Sequence, residues 1–176
     1  MTQPMTIGPF VSRVMIDGLI PVTVSDFKDF HEIDFADHDV FIGQILQSAV
    51  HRVESFTGLS LALNKVTARY DSLSGEAIEL PFGPIFLSSI IAKNGKGEVM
   101  NDFDYLVTES GFVAIEIASQ VPIVFEYQSV TSILPEPLKM AILWQAWEQF
   151  AIKSGAPFRG NWKQYAANYR RPSKFL

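Results

Sequence analysis

Apolar residues recur at three- and four-residue intervals in the first third of the chain and again near its end. Val40, Phe41, Ile45, Ala49, Val53 and Phe56 follow this spacing, while Gln44, Gln47, His51, Arg52 and Glu54 fall mostly elsewhere. The pattern predicts a long amphipathic helix, capped by Asp37 or Asp39 and ended by Gly58 in Val53-Glu54-Ser55-Phe56-Thr57-Gly58. About twenty residues at 1.5 Å each make a rod of roughly 30 Å. Upstream, Ser25 is a plausible N-cap for a shorter helix through Phe27 and Phe30. Late in the chain, Leu138, Ile142, Leu143, Ala146, Trp147 and Phe150 mark one face of a further helix, ending near Ser154-Gly155. Its opening, Leu134-Pro135-Glu136-Pro137-Leu138, places both prolines where a helix tolerates them.

Between these helices the period drops toward two. Lys65 to Tyr70 alternates, and Ala77-Ile78-Glu79-Leu80 is a short strand stopped by Pro81 in Glu79-Leu80-Pro81-Phe82-Gly83-Pro84. Leu87 to Lys93 reads as another strand, followed by a turn at Asn94-Gly95-Lys96-Gly97. Tyr105 to Thr108 and Phe112 to Ile117 flank Glu109-Ser110-Gly111 as a hairpin, and Ile123 to Tyr127 closes the set. The predicted fold class is α+β: N-terminal amphipathic helices, a central small antiparallel sheet or sandwich of short strands, a C-terminal helix and an extended basic tail. The organisation is an N-terminal arm over residues 1–21, a core domain over 22–153 and a C-terminal basic, aromatic tail over 154–176. Within the tail, Asn161-Trp162-Lys163-Gln164 has capping-box spacing for a weak helix that Pro172 ends. A helix so short orders on a partner or on its own body.

Charge sharpens the division. Residues 1–148 hold all 19 acidic residues and eight basic ones, for −11; residues 149–176 hold six basic residues and no acid, for +6. Charged residues are 19% of the chain, below the roughly 25% of typical soluble domains, and 14 residues are phenylalanine. Such a surface is short of charge because partners cover part of it, or because the aromatics fill a core. The absence of cysteine excludes disulfides, thiolate metal sites and cysteine nucleophiles. No apolar run reaches the roughly 18 residues of a membrane span, and Met1-Thr2-Gln3-Pro4 lacks the regions of a signal peptide. The expectation is synthesis in a cytoplasm and assembly into something larger, with no membrane partner.

The helix end Val53-Glu54-Ser55-Phe56-Thr57-Gly58, the strand stop Glu79-Leu80-Pro81-Phe82-Gly83-Pro84 and the helix opening Leu134-Pro135-Glu136-Pro137-Leu138, together with Leu59-Ser60-Leu61, Ser88-Ser89-Ile90, Phe103-Asp104-Tyr105 and Lys139-Met140-Ala141-Ile142, give a chain that resembles the head–tail connector proteins of tailed bacteriophages, also called head-completion or adaptor proteins. The resemblance covers roughly residues 22–153. It implies a structural virion protein at the neck, built as a homo-oligomeric ring of typically about twelve subunits. Such a ring binds beneath the portal protein, extends the DNA channel, joins the filled capsid to the tail and receives a downstream neck or tail-completion protein. DNA passes through without sequence-specific binding, no cofactor is implied, and the C-terminal segment embraces the portal. This chain departs from the pattern in a longer N-terminal arm and an unusually aromatic tail.

Candidate chemistry is sparse. His31-Glu32-Ile33-Asp34-Phe35-Ala36-Asp37-His38-Asp39 is the one cluster of metal-ligand types, but its spacing fits no ligand pattern and acids before a helix are favoured by the dipole alone. His51 and Glu54 read as a surface ion pair rather than an acid–base pair. No nucleophile–base arrangement or phosphate loop appears, so no catalytic, metal or cofactor-binding residue is assigned and the chain is read as a non-enzyme. In the tail, Phe158, Arg159, Trp162, Tyr165, Tyr169, Arg170, Arg171 and Phe175 are the candidate partner-binding residues, with the portal as partner. Two alternatives remain at this point. The basic residues make the protein a small DNA-binding or packaging accessory factor, or the tail is simply solvated.

Overall fold

The computed structural model describes residues 9–16, 19–71, 73–74, 77–101, 103–108, 111–119, 122–155 and 160–171. They divide into two compact units, each interrupted once by the other in sequence. One draws on residues 9–16 and 64–130, the other on residues 19–63 and 131–171.

Among the described residues, the regular elements of the first unit are strands and one 3₁₀ turn. Its strands are β1 (Phe10–Met15), β2 (Asn64–Tyr70), β3 (Leu73–Ser74), β4 (Ile78–Glu79), β5 (Ile91–Asn94), β6 (Val99–Met100), β7 (Asp104–Val107), β8 (Val113–Glu116), β9 (Ala118–Ser119) and β10 (Ile123–Ser129). They form a five-stranded sheet in the order β1-β2-β10-β5-β6, a three-stranded sheet β4-β8-β7 and a two-stranded pair β3-β9. Every pairing is antiparallel. Alternation sets the core: β2 turns Val66, Ala68 and Tyr70 inward, and β10 sets Tyr127, Phe125 and Ile123 opposite them. The expected hairpin forms as β7–β8, closed by Gly111 in the left-handed region (φ 77°), where glycine carries no steric cost.

The Pro81–Pro84 segment is stitched on both sides. Leu80 and Ile85 donate to the Val113 and Gly111 carbonyls, Phe86 donates to Gln128, and Val130 donates to Pro84. The Tyr127 hydroxyl donates to the Pro81 carbonyl. Two expectations change here. Residues 10–15 of the arm are the edge strand β1, paired along its length with β2. Residues 87–93 are not one strand: Leu87–Ser89 is the 3₁₀ turn, with the Ser89 hydroxyl bonded back to Phe86, and β5 begins only at Ile91.

The second unit holds the helices α1 (Val24–His31), α2 (Asp39–Thr57), α3 (Glu136–Ser154) and the single turn α4 (Lys163–Ala166), which continues as a 3₁₀ turn over Ala167–Tyr169. Thr23, not Ser25, caps α1: its hydroxyl accepts from the Asp26 amide while the Asp26 carboxylate accepts from the Thr23 amide, a full capping box. Neither Asp37 nor Asp39 caps α2. The N-cap is His38, without a side-chain bond, and Asp39 instead pairs with Lys28 at 3.0 Å. Gly58 and Gly155 close α2 and α3 in the left-handed conformation, as the sequence predicts. The buried stripe of α2 is Ile42, Ile45, Leu46, Ala49, Val50, Val53, Glu54 and Thr57, so Val40 at the first turn is left 81% exposed. The α3 face expected from the sequence is buried at Leu138, Ile142, Leu143, Ala146 and Phe150. Among the described residues, no helix is long and apolar enough to cross a membrane.

Candidate functional site

The tail packs on the second unit's own helix. The Trp162 ring meets the Phe56 ring edge-on at 5.3 Å between centroids, and Arg170 lies over the Phe56 ring, its guanidinium carbon 5.2 Å from the centroid. Lys163 approaches both rings at 5.8–5.9 Å. The Arg171 amide donates to the Thr57 carbonyl at 3.0 Å, satisfying one of the carbonyls that the last turn of α2 leaves open. Ala166 is fully buried, and Tyr165 and Tyr169 are half-buried.

Of the tail residues singled out by sequence, Trp162, Arg170 and Arg171 are therefore gathered at the C-terminal end of α2, with Tyr165 and Tyr169 on the same short segment. Phe158, Arg159 and Phe175 lie outside the described residues. The Asn161 capping box is not formed: α4 starts at Lys163 without a side-chain cap, and Asn161 contributes only its carbonyl, to the Gln164 amide.

The stretch from His31 to Asp39 scatters rather than converges. The His31 ring turns inward and stacks on Trp147 at 4.3 Å and 18°, with Phe27, Phe30 and Trp144 at its edges. This burial pushes its pKa below the usual 6.5, while the Leu143 carbonyl 3.4 Å from Nε2 opposes the shift. Glu32 terminates α1 in the left-handed conformation, and Glu32, Asp34 and Asp37 point to solvent. Among the described residues no group of three or more His, Asp or Glu side chains is placed to hold a metal.

Two ion pairs brace the helices. Lys139 reaches Asp26 at 2.7 Å; that bond, with the Thr23 bonds, holds the Asp26 carboxyl down at about 2 and raises Lys139. Sequence reasoning missed Glu54. The spacing puts it on the polar face of α2, yet it is fully buried, and Oε1 accepts from the Leu61 and Ala62 amides at 2.7 and 3.0 Å. A carboxylate four residues before a Gly helix stop, followed at once by Leu-Ser-Leu-Ala, is the available signal: the chain must turn back, and its free amides need an acceptor.

No family model matches this chain, and no curated protein sequence matches it. Solved structures do. A chain from the virion of a native gene transfer agent particle superposes with a TM-score of 0.71 at 13% identity, covering 92% of this chain and 96% of the other. Chains from two neck reconstructions of that particle type superpose similarly. One is the neck of the empty particle computed with C6 symmetry, at TM-score 0.73, 14% identity and coverage of 93% and 96%. The other is the neck of the native particle computed with C12 symmetry, at TM-score 0.68, 14% identity and the same coverage. At such identity the likeness is one of fold, and this chain shares that α+β fold over nearly its whole length.

Proposed function

We propose that the protein is a structural subunit of the neck of a phage-like virion, a head–tail connector whose work is assembly and not catalysis. The observation that carries this reading is the match in fold, over nearly the whole chain, to chains from gene transfer agent particles, two of them named as neck. Identical subunits form a closed homo-oligomeric ring there, consistent with the cyclic symmetries of those necks. The ring stands beneath the portal protein, continues the DNA channel and presents a surface to the next neck or tail-completion protein. Trp162, Tyr165, Tyr169, Arg170 and Arg171 form its partner-binding surface, and the strand unit supplies further contacts.

The test is genetic and structural. Particles made without this protein are expected to accumulate as filled heads lacking tails, and a tagged copy is expected to appear at the neck by cryo-electron microscopy. Tailed particles in normal number without it defeat the reading.

Action as a DNA-binding packaging factor draws support from Lys163 and Arg170 beside aromatic rings. It is the lesser reading, because the first 148 residues carry −11, a charge that repels DNA. Tight duplex binding with a steep salt dependence would favour it.

A further inference from the structure

Helix α2 separates two exposed surfaces of opposite character. At its N-terminal end, the loop before His38 exposes Glu32, Asp34 and Asp37, with Phe35 49% exposed among them. The carboxylates on either side are already engaged, Asp26 by Lys139 and Asp39 by Lys28, whereas these three make no ion pair among the described residues. Among the described residues, Lys153 lies over the Phe41 ring at this end, and the three acids of the loop outnumber it. At the C-terminal end, Lys163 and Arg170 are exposed around the half-buried Phe56 and Trp162 rings. Arg52 is exposed one helical turn before Phe56. These three cations also have no carboxylate partner among the described residues.

The two surfaces do not meet within one chain. The 19 residues of α2 span about 28 Å. The loop joins its first turn, and the Arg171–Thr57 bond ties the basic surface to its last. No arginine–carboxylate pair bridges that length, and salt screens charges beyond about 10 Å at 0.1 M. The helix dipole accounts for the sign of charge at each end. It does not account for an exposed phenylalanine among the acids or for open aromatic rings among the cations.

We infer that the acidic Glu32–Asp37 loop of one copy docks onto the Phe56–Trp162–Arg170 surface of a second copy. The inference rests on the reading of the chain as a ring subunit, and it names the neighbouring copy, rather than the portal, as the partner of the docked tail. Phe35 packs against Phe56 and Trp162 at the centre of the contact, and Arg170, Lys163 and Arg52 pair with Asp34, Asp37 and Glu32 around it. The contact joins two different patches of the same chain, so it repeats head to tail and closes when the rotation allows.

Sedimentation velocity of the full chain tests this. The wild type is expected to self-associate in about 0.05 M salt, at least about tenfold more weakly in about 0.5 M. The variants D34K/D37K and K163E/R170E are each expected to stay monomeric, and their equimolar mixture to regain association, because every loop then faces a patch of opposite charge. F35A, at a solvent-exposed position, is expected to associate at least about tenfold more weakly. Thermal melts matching the wild type establish that each variant is folded. The contact is refuted by a wild type that is monomeric at low salt, by folded single-sided variants that associate normally, or by a mixture that stays monomeric. If K163E/R170E forms rings but loses portal binding, the surface belongs to the portal and the inference fails. A protein found at the particle neck whose association ignores these substitutions also refutes the contact and leaves the neck assignment standing.

Discussion

Glu54→Ala removes an acceptor from the turn that leads out of α2. The side chain is fully buried, and the Leu61 and Ala62 residues whose amides it accepts are each 2% exposed. Taking the partner from a buried amide costs about 1–3 kcal/mol. Two such losses, with the apolar stem gone as well, put the effect at about 3–5 kcal/mol. For a chain of this size that is a fall in Tm of about 6–20 °C. All three tryptophans, Trp144, Trp147 and Trp162, lie in the same unit as Glu54, so their fluorescence during urea unfolding reports on that unit. Glu54→Gln keeps an oxygen where Oε1 stands and is expected to lose less than half as much. An alanine variant unfolding within about 0.5 kcal/mol of the wild type would refute the buried-acceptor argument.

Three further outcomes are expected. Gly83→Ala places a Cβ 2.4 Å from the ring of buried Phe112, and urea unfolding should register a loss of about 1–3 kcal/mol. Because burial lowers the His31 pKa below 6.5, the unfolded chain takes up that proton first. Tryptophan-monitored stability should therefore be full above about pH 6.5 and decline below it, and His31→Phe should flatten that decline. The Asp26 carboxyl runs the other way in cause but not in direction: held at about 2 against an ordinary 3.8, it contributes stability above pH 3.8 that is lost as pH falls toward 2. Asp26→Asn should remove that acid-sensitive component in the same titration.

The elements were legible where one force decided them. The α3 face, the β7–β8 hairpin and the glycine stops at Gly58 and Gly155 follow from periodicity and from left-handed backbone geometry, which a linear sequence carries openly. Boundaries that depend on competition between neighbours were not legible. Ser25 and Thr23 are both able caps, and the reciprocal carboxylate of Asp26 decides for Thr23. Ser89 makes the same point: its hydroxyl bond to Phe86 bends a stretch that alternation alone assigns to a strand. The candidate surface was half legible. The tail's Trp162 and Arg170 stood out by type, but their partner Phe56 lies over a hundred residues earlier, and nothing local connects the two.

The interleaving of the two units has a consequence for how the chain is made. Strand β1 emerges first and waits through α1 and α2 for β2. Helices α1 and α2 emerge next, and their apolar faces wait through all the remaining strands for α3. A nascent chain that has reached Val130 thus has every strand of one unit but leaves Phe27, Ile45 and Val53 without the helix that completes their core. Contacts of such long sequence separation form slowly, and the waiting surface is sticky. The vulnerable period in the life of this protein is therefore its synthesis, and it ends only when α3 arrives and residues 160–171 pack against the end of α2.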